Sequence, residues 1–434
     1  MAREDVVVVG GGLTGLLASA LLAKEGKKVR LVEAAASLGG LARTRREEGF
    51  HLNMGAHAMF TGGPLERALR TLGLKLDGGT VSPSHAQIVR DSRLYPMPAG
   101  PVSLLTSELF DWGAKRELMR FLARPSIPDD VSVTLRAYLD QQFSTRSARD
   151  FLEMLVRLTT FTNDPARTNA RDALRQLAMT LRAKTIYLHE GWQSLVDDIR
   201  EVAHAHGASI DTSQRATGIR MSAGALAGVE LEGGRTLETS AAILAVPPRA
   251  ALALAPDAPE LRAAAGAATP VRLACLDVGL ARLPRPKVTY VLSLDDPLYF
   301  SVHSRYAVLA PPGATTAHLM RYLRPGEEPA EAKRSMELFL DFLQPGWQEH
   351  ARVRQDLPSI TACNWWPRPG VERPSSEIRS VPGLYIAGDW VGSEGYLSQA
   401  CAASAQSAAA LAGARTAKCA LAPGPSNASG RATR

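Results

Sequence analysis

The first residues equipped for chemistry are the glycines of Gly10-Gly11-Gly12-Leu13-Thr14-Gly15. They have the spacing G-x-G-x-x-G, between a β-branched run, Val6 to Val9, and a helical pattern over Leu16 to Lys24. Such a turn brings bare backbone up to a pyrophosphate. Gly10 permits the tight bend, Gly12 lets the phosphates approach, and Gly15 lets helix and strand pack closely. The unpaired N–H groups of the helix start at Leu13 and Thr14, with its positive dipole end, favour the anion. Eighteen residues past Gly15, Glu33 ends a second strand, Val29 to Val32. A carboxylate there accepts hydrogen bonds from ribose hydroxyls and repels a 2′-phosphate, which argues against NADP.

These residues need a sheet behind them. Strand-like runs at the start of the chain, between residues 210 and 245 and at Leu384 to Ala387 read as one sheet. The intervening pattern is different. Arg67 to Leu72 suggests a short helix, and Pro101 to Arg182 is helical with proline breaks, including Ala114 to Leu122 and Ala148 to Leu158. Leu195 to His206 and Glu331 to Leu343 are further helices. Strands are expected around Ile210, Ile219, Val229, Ile243, Leu273, Tyr290 and Tyr306, and an Ala-rich helix over Leu397 to Leu411. A chain of 434 residues favours two domains. The expected division is a discontinuous nucleotide-binding domain over 1–75, 186–250 and 356–415, with a substrate domain over 76–185 and 251–355. Pro, Gly, Ser and Asn in 421–434 predict a disordered tail.

Ser37-Leu38-Gly39-Gly40-Leu41-Ala42-Arg43-Thr44 follows Glu33 at once, then Gly49-Phe50-His51-Leu52-Asn53-Met54-Gly55-Ala56-His57. Near the other end stands Val381-Pro382-Gly383-Leu384-Tyr385-Ile386-Ala387-Gly388-Asp389, and Gly395-Tyr396-Leu397 opens a final helix. With these segments the chain resembles the superfamily of flavin-containing amine oxidases, phytoene desaturases and protoporphyrinogen oxidases. The resemblance implies an α/β architecture: a Rossmann-like, discontinuous FAD-binding domain with an inserted α+β substrate domain that contains a mixed sheet and a helical part. It implies that Gly39 and Gly40 lie against FAD, that Gly55, Ala56 and His57 pass under the flavin, and that Asp389 meets the ribityl chain beside Gly388. It implies that the helix start at Gly395, Tyr396 and Leu397 faces the flavin, and that the backbone at Ala216 holds adenine. The family's usual Arg after the glycine pair is here Leu41, which leaves Arg43 as the candidate cation.

For catalysis the candidates are His57, Trp366 and Tyr396. Tyr396 aligns with one wall of the aromatic cage of amine oxidases, and the segment Asn364-Trp365-Trp366-Pro367 offers the other. Plain core packing is the alternative for these rings. His57 is a candidate for positioning substrate or tuning the flavin, with a structural histidine as the alternative. Cys363 sits where some amine oxidases tether flavin, although an inert buried thiol is preferred. The stretch Pro270 to Cys275, where amine oxidases place a lysine, has none. This shifts the expected reaction to dehydrogenation of carbon–carbon bonds in a hydrophobic small molecule, with hydride passing to FAD and electrons to oxygen or another acceptor. An amine or amino-acid oxidase, a flavin-dependent isomerase without net redox and an FAD-retaining scaffold are the alternatives.

Composition narrows the partners. The net charge is +7, but the stretch from Gly395 to Arg434 holds Arg415, Lys418, Arg431 and Arg434 and no acid. The rest is too nearly neutral for a nucleic-acid groove. Cys275, Cys363, Cys401 and Cys419 are far apart, with no metal-ligand spacing, and suit reduced thiols in the cytoplasm. Val6 to Leu22 is interrupted by glycines and preceded by Glu4 and Asp5, unlike a secretory leader. Lys115 to Arg124 is basic and amphipathic, compatible with peripheral membrane contact as well as with a solvated helix face. A homodimer is compatible with the sequence too.

Overall fold

The computed structural model describes residues 3–421. Val6–Val9, four β-branched residues in succession, is buried throughout, as a strand covered on both faces must be. It is the centre of a five-stranded sheet in the order Ser209–Asp211, Val29–Val32, Val6–Val9, Ala242–Leu244, Leu384–Ile386. Every pairing in it is parallel. Val6 and Val8 pack with the helices Leu13–Lys24, Trp192–Ala205 and Ser398–Leu421 on one face. Val7 and Val9 face the other way, toward a small antiparallel sheet and the helices Pro248–Leu254 and Pro259–Ala267.

That small sheet corrects part of the expected strand set. Of the runs between 210 and 245, only Ser209–Asp211 and Ala242–Leu244 join the parallel sheet. Ile219 and Val229 belong to Ala216–Ser222 and Ala225–Leu231, which fold back on each other through Ala223 and Gly224, both at positive φ. The final helix also differs: it runs from Ser398 to Leu421, well past Leu411. Its buried Ala402, Ala405, Ala408 and Ala412 are small enough for close packing on Leu13–Lys24. The tail predicted over 421–434 lies outside the described residues, apart from Leu421.

The second large sheet has seven strands, in the order Ala351–Cys363, Val271–Leu280, Thr315–Tyr322, Leu298–Val302, Tyr290–Ser293, Ala86–Arg90, Arg93–Pro96. All neighbours are antiparallel except Tyr290–Ser293 beside Ala86–Arg90. Alternation decides its two faces. Ala274, Leu276, Val278 and Leu319 pack on the helix Pro329–Leu343. Leu273, Cys275, Met320 and Tyr322 pack toward helices that include Arg146–Thr160 and Ala170–Arg182. Residues 356–363, grouped from sequence with the nucleotide-binding part, continue the outer strand Ala351–Cys363 of this sheet. No strand forms at Tyr306. A 3-10 turn, His303–Arg305, precedes it, and the ring of Tyr306 meets the edge of Tyr187. Among the described residues no helix is long and apolar enough to cross a membrane.

Candidate active site

One cavity of about 760 Å3 joins the two sheets. Its first end is built from glycines. Gly10 has φ +106°, and a Cβ there would lie 2.4 Å from the Ala245 carbonyl oxygen. A Cβ on Gly15 would come within 1.9 Å of the Gly10 oxygen, so this glycine is what lets the helix sit on the strand. Gly12 is the opposite case. It lines the cavity, and a Cβ there would meet nothing within 4 Å. No side chain caps the helix Leu13–Lys24 at Gly12, which leaves first-turn N–H groups free for an anion. Gly39 donates to the Gly11 carbonyl (2.8 Å) and bridges to Gly12, and Gly40 lies against the Gly12 backbone. The Glu33 carboxylate accepts from the N–H groups of Gly11 (2.6 Å) and Ala35 (2.7 Å), which aims it into the same space. The indole N–H of Trp192, on the cavity wall, has no protein partner. An open cradle, free N–H groups and an orphaned donor fit a bound dinucleotide.

The C-terminal segment closes this end. Gly388 donates to Ser404 and Asp389 accepts from the backbone (2.8 Å) and side chain (3.0 Å) of Asn364. Burial raises the Asp389 pKa, and the Asn364 N–H groups oppose that. Leu397, in the left-handed region at φ +51°, turns the chain into the helix beginning at Ser398. Gly388, Asp389, Tyr396, Leu397 and Ser398 all line the cavity. Gly395 supports them from behind: a Cβ there would press on Gln399, which ties this helix to Phe60 and Leu65. Ala56 and His57 line the wall, with Gly55 behind them against Ile360. His57 contacts the Gly55 carbonyl through Nδ1 (3.0 Å) and its ring meets Trp192. Burial, opposed by that carbonyl, holds its pKa down at about 4.

Besides Gly15, Gly55 and Gly395, which back the wall, three more expected site residues lie off it. Arg43 is exposed, and its guanidinium turns back onto the Gly40 carbonyl and Ser37. Ala216 opens its antiparallel strand outside the cavity, paired with Leu231. Trp366 is a core residue: its backbone N–H bonds to Thr269 and its indole to the Thr168 hydroxyl. Trp390, held by the Val246 carbonyl (3.1 Å), does line the cavity, as Tyr396 does. Cys363 is fully buried off the wall, with its thiol pKa pushed up by burial. Cys401 does line the wall, and burial raises its thiol to about 12.

The far end of the cavity holds a polar group that the sequence reading missed. Gln355, Asp277, His318, Ser301, Tyr290 and Ala86 are successive cross-strand partners, one rung across six strands of the seven-stranded sheet. Opposed residues share a face, so the rung projects to the cavity side. His318 Nδ1 lies 2.6 Å from Asp277 Oδ1, with both residues nearly inaccessible, at 1% and 3% exposure. Gln355 donates to the other Asp277 oxygen (3.1 Å) and to the Asn53 carbonyl (2.8 Å). His318 Nε2 has no hydrogen-bond partner among the described residues. An unpaired buried group of this kind costs about 1–3 kcal/mol. The His303 ring stacks on His318 (5.0 Å) and on Tyr187 (4.1 Å), whose hydroxyl meets Tyr299 and Ser301. Burial lowers the His303 pKa well below the usual range, and charge on His318 adds to this. The signal was present in the apolar strands Leu276-Asp277-Val278 and Ala317-His318-Leu319, since a buried charge needs a partner.

Comparison with known proteins places this geometry. Coproporphyrinogen III oxidase from Propionibacterium freudenreichii subsp. freudenreichii is 28% identical over 163 residues, 35% of this chain and 31% of the relative. An all-trans-retinol 13,14-reductase from Danio rerio is 47% identical over 53 residues, 12% of this chain and 9% of that protein. The chain thus spans less than two thirds of the length of these curated relatives. An oxidoreductase structure from Methanosarcina mazei superposes with a TM-score of 0.76 at 19% identity, covering 93% of this chain and 99% of that one. Cyclohexylamine oxidase from Brevibacterium oxydans IH-35A gives 0.67 at 16% identity, covering 95% and 99%. At these identities the likeness is one of fold. The profile of the flavin containing amine oxidoreductases matches residues 13–272, and with more than half of its length matched, this chain belongs to that family of FAD-dependent oxidoreductases.

Proposed function

We propose that the protein dehydrogenates a hydrophobic small molecule, removing hydrogen from adjacent carbons. The observation that carries this is the continuity of the cavity. It runs from the glycine turn to an apolar chamber walled by Leu155, Leu158, Phe161, Leu177 and Met320, and its one lysine among the described residues is Lys184, exposed beside Leu181. Bound FAD supplies a two-electron acceptor that takes a hydride. The chain's part is to place and seal. Gly10, Gly12, Leu13 and Thr14 present backbone to the pyrophosphate while Gly15 seats the helix on the strand, Glu33 takes the ribose, and Gly39 and Gly40 close over it. Gly388, Asp389 and the helix start after Tyr396 hold the flavin end, with His57 kept neutral beside it. The apolar chamber orients the substrate and excludes water. In this reading, residues 1–75, 186–250 and 356–415 serve the cofactor, apart from the sheet strand 356–363, which with 76–185 and 251–355 serves the substrate.

Anaerobic bleaching of the flavin absorbance tests the reading, with three donors: 13,14-dihydroretinol, coproporphyrinogen III and cyclohexylamine. Bleaching by 13,14-dihydroretinol is the expected result, whereas bleaching by coproporphyrinogen III alone would point to loss of a methylene C–H and a pyrrole N–H instead of hydrogen from adjacent carbons. Bleaching by cyclohexylamine alone would favour amine oxidation, the reading that Tyr396 and Trp390 in the cavity lining support. Delivery of an apolar substrate would suit a surface contact with lipid. Val102 and Trp112 are about three-quarters exposed beside Lys115, whose ammonium lies over the indole. Co-sedimentation with anionic vesicles, lost in Trp112→Glu, is the outcome expected of that contact.

A further inference from the structure

We propose that His318 takes up the proton released in the dehydrogenation, with Asp277 as its positioning residue; this rests on the carbon–carbon reading above. Forming a double bond removes two hydrogens from neighbouring carbons. One leaves with its electron pair as hydride to FAD. The other must leave as a proton, so that its C–H pair becomes the π bond. The substrate loses two electrons, FAD gains them, and the proton needs a base inside a water-poor chamber.

The wall offers few bases. Glu33 and Asp389 are engaged at the cofactor end. Lys184 is exposed at the rim. Burial holds the phenols of Tyr187, Tyr290 and Tyr299 protonated. His57 faces the carbonyl oxygens of Gly55 and Leu41, which favour N–H on its ring. His303 stacks between Tyr187 and His318 with no carboxylate to orient it.

His318 differs on each count. Its Nδ1 faces a buried carboxylate at 2.6 Å, which fixes the proton on that nitrogen and leaves the lone pair on Nε2. That nitrogen is the one without a partner. Asp277 is itself fixed by Gln355, which also holds the Asn53 carbonyl. Asn53 ends the strand Phe50–Asn53 that leads into the His57 loop, so the base and the cofactor end share one brace. The titratable groups facing the ring are Asp277, His303, Tyr299 and His57, with Cys275 beside Asp277 on its strand.

The test uses the FAD-loaded full chain with 15N-labelled histidine, and the variants His318→Gln and Asp277→Asn. Two-bond 15N–1H spectra between about pH 5 and 9 read the tautomer without any substrate. His318 is expected to carry its proton on Nδ1 and to leave Nε2 bare, and Asp277→Asn to lose the low-field Nδ1 proton. N–H on both nitrogens at every pH would overturn the proposal. The kinetic arm follows anaerobic flavin bleaching by 13,14-dihydroretinol. His318→Gln should slow it about 10²–10⁴-fold with FAD absorbance and KM retained. Asp277→Asn, the shape-preserving second variant, should slow it less and shift the acid limb of the rate profile. Wild-type bleaching matched by His318→Gln sinks the proposal alone. Wild type bleached only by cyclohexylamine or only by coproporphyrinogen III sinks the carbon–carbon reading, and the proposal with it.

Discussion

The two ends of the cavity are made of different material. At the cofactor end the working groups are mainly backbone N–H groups, presented by glycines that stand in short local clusters of the chain, Gly10 to Gly15, Gly39-Gly40 and Gly388. At the chamber end they are side chains of Asp277, His318 and Gln355, brought together from three strands. The first end is therefore specified by space, and the second by hydrogen bonding. A single methyl should destroy the one, whereas the other should tolerate isosteric change in structure while losing its chemistry.

The largest test of this contrast is Gly15→Ala. Its Cβ would enter the Gly10 carbonyl at 1.9 Å, and no rotamer relieves a clash with backbone. Loss of about 1–3 kcal/mol and of nearly all bound FAD is expected, read from thermal melting and from flavin absorbance per protein. Gly12→Ala sharpens the comparison. Its methyl meets no protein atom, so the melting temperature should hold while FAD affinity, measured by flavin fluorescence, falls about tenfold, or about 1.4 kcal/mol. Equal damage from both variants would break the argument from space.

At the other end, Gln355→Leu removes the donor shared by Asp277 and the Asn53 carbonyl. Denaturant unfolding should show a loss of about 1–3 kcal/mol with FAD content unchanged. A pH effect follows from the neutral histidines. The His57 pKa is held at about 4 in the folded chain against 6.5 ordinarily, and that of His303 is lowered too. Between those values the unfolded chain binds more protons. Stability should then be full above about pH 6.5 and fall as pH drops toward 4, with His303→Gln flattening the slope. The smallest effect is reserved for Arg43→Ala. Its guanidinium contacts only Gly40 and Ser37 at the surface, so FAD content and melting should barely change.

The same contrast explains what could be read in advance. Gly10 to Gly15, Gly39-Gly40 and Gly388-Asp389 are local patterns, and backbone geometry translates them directly into a site. Strand and helix positions followed for the same reason wherever a periodicity was unbroken. Arg43 stands near the phosphate loop in sequence, but distance along the chain says nothing of a side chain's direction, and its guanidinium turns back onto Gly40. Trp366 could not be placed from sequence, because an indole serves a core as well as a cavity and its partner, Thr168, lies far away in the chain. The Asp277–His318 pair is spaced by 41 residues, and nothing short of the strand register brings the two together.

That register has a kinetic side. His318 sits between two fully paired neighbours, Val271–Leu280 and Leu298–Val302, so its strand cannot detach without taking the sheet apart. Its amide should exchange with deuterium only through global opening, among the slowest in the chain, while amides around Lys184 at the exposed rim exchange early. A proton acceptor mounted in this way has no private motion. A one-residue slip of its strand would turn the imidazole to the opposite face, against the helix Pro329–Leu343. Whatever rearranges during turnover therefore has to be the rim or the substrate, because the base moves only when the fold does.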